Sequence, residues 1–211
     1  MKNYKTIIAA VAASLACTAI TSQASFTPIS PGTLVAIPGG GDFATPAAGD
    51  LLASLSSNYN FGSGSDTGTL TTDVYKYNAA NGAPLGGLLF IYTITIGAGD
   101  VNGLTVTGFA GPESVNNVSG TTADAVTANY NIFGGINFAW AAQVNPSVLK
   151  VVVDTSATSW AGANANVQDN FAGNVPSLGP VPEPSTIVAG ALMLLPFGIG
   201  AIRSLRKDRT A

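Results

Sequence analysis

The chain has 211 residues, a formal net charge of −3, no histidine and a single cysteine, Cys17. Between residues 25 and 182 the only bases are Lys76 and Lys150, set against nine acids for a net charge of −7. That balance excludes nucleic acid, whose phosphates require Lys and Arg, and argues against anionic lipid or sulfated glycan. With no His or Cys there, disulfides, thiolate nucleophiles, Ser-His-Asp triads and His or Cys zinc ligands are excluded too.

The chain opens with Lys2 and Lys5, then an apolar run from Thr6 to Ile20, then Ser22-Gln23-Ala24 before Ser25. A positive region, an apolar region and a small-x-small site are the parts of a secretory signal peptide, so residues 1–24 are expected to be cleaved between Ala24 and Ser25. Cys17 lies inside this segment and lacks the leucine three residues upstream that a lipoprotein signal prefers. It reads as an ordinary small apolar residue.

Residues 25–68 are rich in Pro, Gly and Ser. They predict strands separated by long turns, a first ladder near Thr33-Leu34-Val35-Ala36, and at most a short helix or strand over Leu51 to Leu55. From Thr69 to Tyr77 the residues alternate as in a half-exposed strand. Asn81-Gly82 is a hairpin signal. Leu88 to Ile96 is too apolar for an edge and predicts a central strand, with Leu104 to Phe109 as its partner after the Gly97–Asp100 turn. Ala125 to Asn131, Ile136 to Ala141 and Leu149 to Asp154 follow, the last containing the buried run Val151-Val152-Val153. Short strands broken by Gly, Asn, Asp and Pro, with no amphipathic helix of more than two turns, predict an all-β fold. Residues 25–180 are expected to form a single antiparallel β-sandwich or jelly-roll-like domain. An N-terminal signal helix and a C-terminal transmembrane helix would flank it.

After residue 180 the composition changes. Pro182-Glu183-Pro184 precedes the uncharged apolar run Thr186 to Ile202, and Arg203, Arg206, Lys207 and Arg209 follow within residues 203–211. Seventeen residues at 1.5 Å rise reach about 25 Å, the lower limit for spanning a bilayer core. Basic flanks stay cytoplasmic, so the precursor is expected to form a hairpin across the inner membrane with residues 25 to about 182 outside the cytoplasm. The Pro-Glu-Pro tripeptide, the span and the basic cluster, in that order over residues 181–211, resemble the PEP-CTERM sorting signal. The resemblance implies a bacterial host that makes exopolysaccharide, a membrane protease-transpeptidase of the exosortase type as partner, and delivery to the cell surface or biofilm matrix. It implies no catalytic residue in the body. A looser resemblance of residues 68–75 and 151–158 to ectodomains joined to this signal implies no activity.

Three sets of residues compete with a non-catalytic body. Asp66-Thr67-Gly68 matches the aspartic-protease tripeptide and Asp154-Thr155-Ser156 nearly does. Such enzymes need two aspartates close enough to share a proton, but here Asp66 reads as a Gly/Ser loop residue with no apolar strand before it, and Ser156 replaces a glycine. Asp42, Asp66, Asp100 and Asp169 lie in loops near glycine, and hard oxygen ligands suit calcium. No calcium-loop spacing is present, so solvated turn aspartates are the expectation and no metal or cofactor is assigned. Trp140, Trp160, Tyr59, Tyr75, Tyr77, Tyr92 and Tyr130 would suit either a sugar-stacking face or the core. Asn117-Val118-Ser119 fits a glycosylation sequon, a weak pattern in a bacterium. The leading expectation is an exported surface or matrix protein, with a carboxylate-dependent hydrolase or a glycan-binding module as rivals.

Overall fold

The computed structural model describes residues 26–38, 43–76, 84–144, 147–169 and 171–181. The predicted signal peptide with its Ala24/Ser25 cleavage site lies outside these residues. So do Asp42, Tyr77, Asn81-Gly82, Pro182-Glu183-Pro184, the 186–202 span and the basic residues Arg203, Arg206, Lys207 and Arg209. Among the described residues no helix is long and apolar enough to cross a membrane.

Among the described residues twelve strands run in chain order: β1 (Thr27–Ile29), β2 (Thr33–Ala36), β3 (Leu51–Phe61), β4 (Asp66–Lys76), β5 (Leu88–Ala98), β6 (Asp100–Thr107), β7 (Glu113–Asn117), β8 (Thr127–Tyr130), β9 (Gly135–Val144), β10 (Ser147–Thr155), β11 (Trp160–Gln168) and β12 (Ala172–Pro180). They form two six-stranded sheets, ordered β1-β7-β10-β5-β4-β3 and β12-β11-β6-β9-β8-β2. Each of these pairings is antiparallel. The fold is all-β, with two antiparallel sheets facing each other across one apolar core, as the strand spacing predicts.

The pattern of side chains explains the layering. Leu70 and Val74 of β4, Phe90, Tyr92 and Ile94 of β5, and Val151 and Val153 of β10 project from the first sheet into the core. Leu104 and Val106 of β6, Ile136 and Phe138 of β9, and Val167 of β11 meet them from the second. Each such side chain contributes about 1.5–3 kcal/mol on leaving water. The Tyr92 hydroxyl, deep in this layer, donates to the Leu178 carbonyl at 3.0 Å and ties the sheets together.

Leu89 and Ile91, which alternate with Phe90 and Tyr92 in the first half of β5, are apolar as well, because the outer face of the first sheet is also covered there. Leu89, Ile91, Val152, Tyr75, Val118 and Phe43 form a second cluster there, with Phe26 packed against it. Phe26 meets Phe43 edge-on, ring centres 5.2 Å apart. Backbone bonds from Phe43 N to Asn117 O and from Ser119 N to Phe43 O hold the segment down. A strand buried on both faces reads as a continuous apolar run, which is why residues 88–96 and 151–153 stand out in the sequence.

Four points of the sequence reading need correction. The partner assigned to β5 is wrong: β5 lies between β4 and β10, while β6 crosses to the second sheet and pairs with β9 and β11. The crossing follows Gly99, whose φ of +75° redirects the chain. β3 extends through Phe61 rather than stopping near Leu55; Ser54, Ser56, Asn58 and Asn60 occupy the solvent side of the alternation. Asp66 is no loop residue but the first residue of β4, directly after β3 and a short 3-10 turn. Finally, β1, β7, β11 and β12 are strands that the sequence pattern does not announce. β12 carries Pro176 and Pro180, tolerated because it is an edge strand.

Candidate functional site

At one end of the sandwich three connections converge: the β3–β4 turn, the β5–β6 crossing and the β11–β12 turn. Each brings one aspartate. A carboxylate oxygen from each of Asp66, Asp100 and Asp169 lies within 4.8 Å of the other two. Asp66 is only 4% exposed, which corrects the expectation of a solvated turn residue; Asp100 and Asp169 are half-buried.

Local backbone geometry makes the approach possible. Gly62 and Gly99 both have positive φ, +62° and +75°, and both press against the Asp66 carboxylate. A methyl group on Gly99 would collide with Asp66 Oδ1, and one on Gly62 with Oδ2. Ser65 Oγ lies 2.9 Å from Asp66 Oδ2 and can donate to it. The Asp169 amide donates to the Phe171 carbonyl at 2.9 Å, closing the β11–β12 turn.

The carboxylates of Asp66 and Asp169 oppose the ionisation of Asp100. The Asp100 carboxyl is pushed above the ordinary carboxylate range by burial, then by the charge of Asp169, by a hydrogen bond between their side chains, and by the charge of Asp66. Neither base of the described body relieves this. Lys76 sits at the far end of β4, and Lys150 lies mid-sheet opposite Thr93. Chemically the cluster can hold a shared proton or a hard cation. Asp66, Asp100 and Asp169 would be the carboxylate ligands, and calcium would need further carbonyl or water oxygens to reach six to eight.

Two more acids are buried elsewhere, Asp154 and Glu113. Asp154 is fully buried, with Oδ2 accepting from Leu85 N at 2.9 Å and from Ser114 Oγ at 3.0 Å. Burial pushes its carboxyl up, while those two donors pull it down. Glu113 is on the opposite face of the sheet, beside Thr155. Burial there pushes its carboxyl up to about 8, against the lowering effect of hydrogen bonds with Thr155 and the Gly111 backbone. The phenols of Tyr92 and Tyr130 feel its charge, and burial, their largest influence, pushes both well up.

The protease pairing does not assemble. Asp154 is opposite Leu89, whereas Thr67, next to Asp66, is opposite Ala98. Nine residues of β5 separate those registers, about 30 Å at strand rise, so the two aspartates cannot share a proton. Trp140, Tyr59, Tyr75, Tyr92 and Tyr130 are core residues, which removes them from a sugar-stacking face; Trp160 alone of the described set is partly exposed. The Asn117 amide is buried and clamps a loop, donating to Ala125 O at 3.2 Å and accepting from Ala125 N at 2.8 Å. It is no glycan acceptor.

One further feature escapes the sequence reading. A groove of about 340 Å³ lies at the end of the sandwich opposite the acidic cluster, lined by Leu52, Lys76, Gly86, Gly87, Leu88 and Thr158. It holds no carboxylate. Its signal in the sequence is only Gly86-Gly87, which reads as turn. Comparison with protein-family models, with curated proteins and with solved structures finds no match to this chain.

Proposed function

We propose that this chain is an exported bacterial surface or matrix protein, delivered by a C-terminal sorting signal and not catalytic. The observation that carries the proposal is the ordered set Pro182-Glu183-Pro184, apolar run and Arg203/Arg206/Lys207/Arg209 cluster, following the body in one chain. In this reading residues 1–24 are a signal helix removed at Ala24/Ser25. Residues 186–202 span the inner membrane of the precursor, and an exosortase-type protease cuts near the tripeptide. The released body then resides at the cell surface among exopolysaccharide.

The body gives this reading its support. Its last strand ends at Pro180, two residues before Pro182, so a cut at the tripeptide would leave every described strand whole. A neutral-to-acidic surface without arginine suits an uncharged glycan matrix better than an anionic one. The separation of Asp66 from Asp154 removes the sharpest argument for a carboxylate-pair hydrolase.

Intact-mass spectrometry of surface protein from the native host, with and without its sorting protease, tests the proposal. The wild-type form is expected to lack Met1–Ala24 and the Thr186–Ala211 segment, and the protease-deficient strain to retain the latter. A wild-type surface form with the span still attached would mean a plain anchor.

A further inference from the structure

The sandwich has two unlike ends. One carries Asp66, Asp100 and Asp169. At the other, the starts of β2, β3, β5, β9 and β11 meet the ends of β4, β8 and β12. Of the eight large apolar side chains exposed on the described surface, six belong to this second end: Leu34, Leu51, Leu52, Ile132, Phe133 and Trp160. Such a one-sided distribution marks an interaction surface, where scattered single residues would not. Charge is distributed the opposite way. Among the described acids at this end Glu113 and Asp154 are buried and Asp50 is half-buried, while Lys76 is exposed.

Ile132 and Phe133 stand out furthest, at 72% and 90% exposed. They form the tip of the β8–β9 hairpin, and the turn is closed beneath them. Asn131 Oδ1 accepts from Phe133 N at 2.9 Å and from Gly135 N at 3.0 Å, and Gly134 takes a φ of +84°. Side chains held out in this way cannot fold back onto the core, so only an outside surface can take them from water. The position of the chain exit says which surface. Trp160 is paired with Pro180, and Val181 N donates to Ser159 O at 3.0 Å. Gly108 lies against Pro180, and Phe109 N donates to Gly134 O at 3.2 Å, so one short loop links the exit strand to the hairpin tip. The apolar run Thr186 to Ile202 begins five residues after Val181, a reach of at most about 18 Å.

We propose that this apolar end seats on the outer face of the membrane that holds the precursor, with Ile132, Phe133 and Trp160 entering the headgroup layer. The inference rests on the reading of residues 186–202 as a membrane span, because that tether is what keeps this end within reach of lipid. Tryptophan favours the headgroup level, and a lysine beside it can extend its ammonium to lipid phosphate while its stem stays on apolar surface. In the same pose Asp66, Asp100 and Asp169 face away from anionic headgroups, which would repel them. Seated so, the body itself holds the tripeptide at the membrane surface, rather than leaving it on a free tether.

The test uses the full chain with Cys17→Ala in vesicles of phosphatidylethanolamine and phosphatidylglycerol, some lipids carrying a quencher just below the headgroup. Single cysteines carry an environment-sensitive dye. Ser30→Cys puts it in the exposed β1–β2 turn, where Gly32 lies against Ile132, on the sheet edges away from β12 and the chain exit. Ala172→Cys puts it at the acidic end, and Leu194→Cys in the apolar run. Quenching is expected at Leu194→Cys and at Ser30→Cys, the latter several-fold stronger than at Ala172→Cys. Adding Ile132→Asp with Phe133→Asp is expected to lower the Ser30→Cys signal to that of Ala172→Cys, with the circular dichroism spectrum and the Leu194→Cys quenching unchanged. The proposal is overturned if Ser30→Cys is quenched no more than Ala172→Cys while Leu194→Cys is quenched; the span then stands and the body hangs free. A Ser30→Cys dye shielded from water but unquenched overturns it too, since protein and not lipid would be covering this end. So does quenching that survives the two aspartates. An unquenched Leu194→Cys removes the span and the inference together.

Discussion

Replacing Glu113 by Gln changes one atom type in a buried site and isolates the cost of a carboxyl placed in the core. In the folded protein the Glu113 carboxyl is raised from 4.5 to about 8, whereas in the unfolded chain it titrates at its ordinary value. Between those two values the folded state holds a proton that the unfolded chain has already released. Stability therefore falls as pH rises through this window. The contribution is complete below 4.5 and gone above 8. Each pH unit inside the window costs about 1.4 kcal/mol, or about 4 kcal/mol between pH 5 and pH 8. Glu113 is 4% exposed, so solvent screening does not reduce this. Gln keeps a hydrogen-bonding group beside Thr155 and never ionises. Urea denaturation of parent and variant at pH 5, 6, 7 and 8 is the assay. Asp154 and Asp100 are also raised and tilt both proteins alike, so the difference between the two curves is the quantity to follow. Near-equal stability at pH 5, with the variant ahead by about 3–4 kcal/mol at pH 8, is expected. Parallel profiles would refute the reasoning, since they would mean that Glu113 is solvated or paired in the folded state.

Gly99→Ala forces a left-handed backbone on alanine and drives its methyl into the Asp66 carboxylate; a loss of about 2 kcal/mol or more is expected in chemical denaturation. Tyr92→Phe removes the hydroxyl that bridges to the Leu178 carbonyl and leaves that acceptor without its partner, for an expected loss of about 1–2 kcal/mol with an unchanged circular dichroism spectrum. Asp169→Asn removes a carboxylate that opposes the ionisation of Asp100, so in chelator the thermal midpoint at neutral pH is expected to rise, with the difference shrinking in acid as Asp100 takes up its proton. Calcium titration of the parent and of the Asp169→Asn variant separates the two ways of offsetting that repulsion: stabilisation confined to the parent means a bound cation, none means a shared proton.

What can be read from the sequence is what burial alone dictates. Residues 88–96 and 151–153 are apolar on both faces because apolar layers cover both faces of the first sheet, and such runs need no knowledge of neighbours. β11 and β12 cannot be read this way. Their Ala, Asn, Gly and Pro residues have turn composition, and only the burial of Ala165, Val167 and Val175 against the opposite sheet makes them strands. The acidic site divides along the same line. Each of Asp66, Asp100 and Asp169 is visible singly as an aspartate near glycine. Their meeting depends on β6 leaving the first sheet and on the β11–β12 turn reaching back to the start of β4. Both are consequences of sheet assignment, and the hairpin reading of residues 88–109 puts β6 in the wrong sheet.

The pairing of the first strands with late ones has a kinetic consequence. Thr27 of β1 lies against Val115, and Thr33 of β2 against Tyr130; Phe43 is held by Asn117 and Ser119. The N-terminal segment therefore has nothing to dock on until more than half of the chain has been made. Long loops must close before these contacts reward closure, and topologies of this kind fold in milliseconds to seconds rather than microseconds. The β3–β4 and β4–β5 pairs join neighbours in the chain and can form early, while β1 and β2 wait for β7 and β8. The outer seal formed by Phe26 and Phe43, first out of the ribosome, is among the last parts to settle.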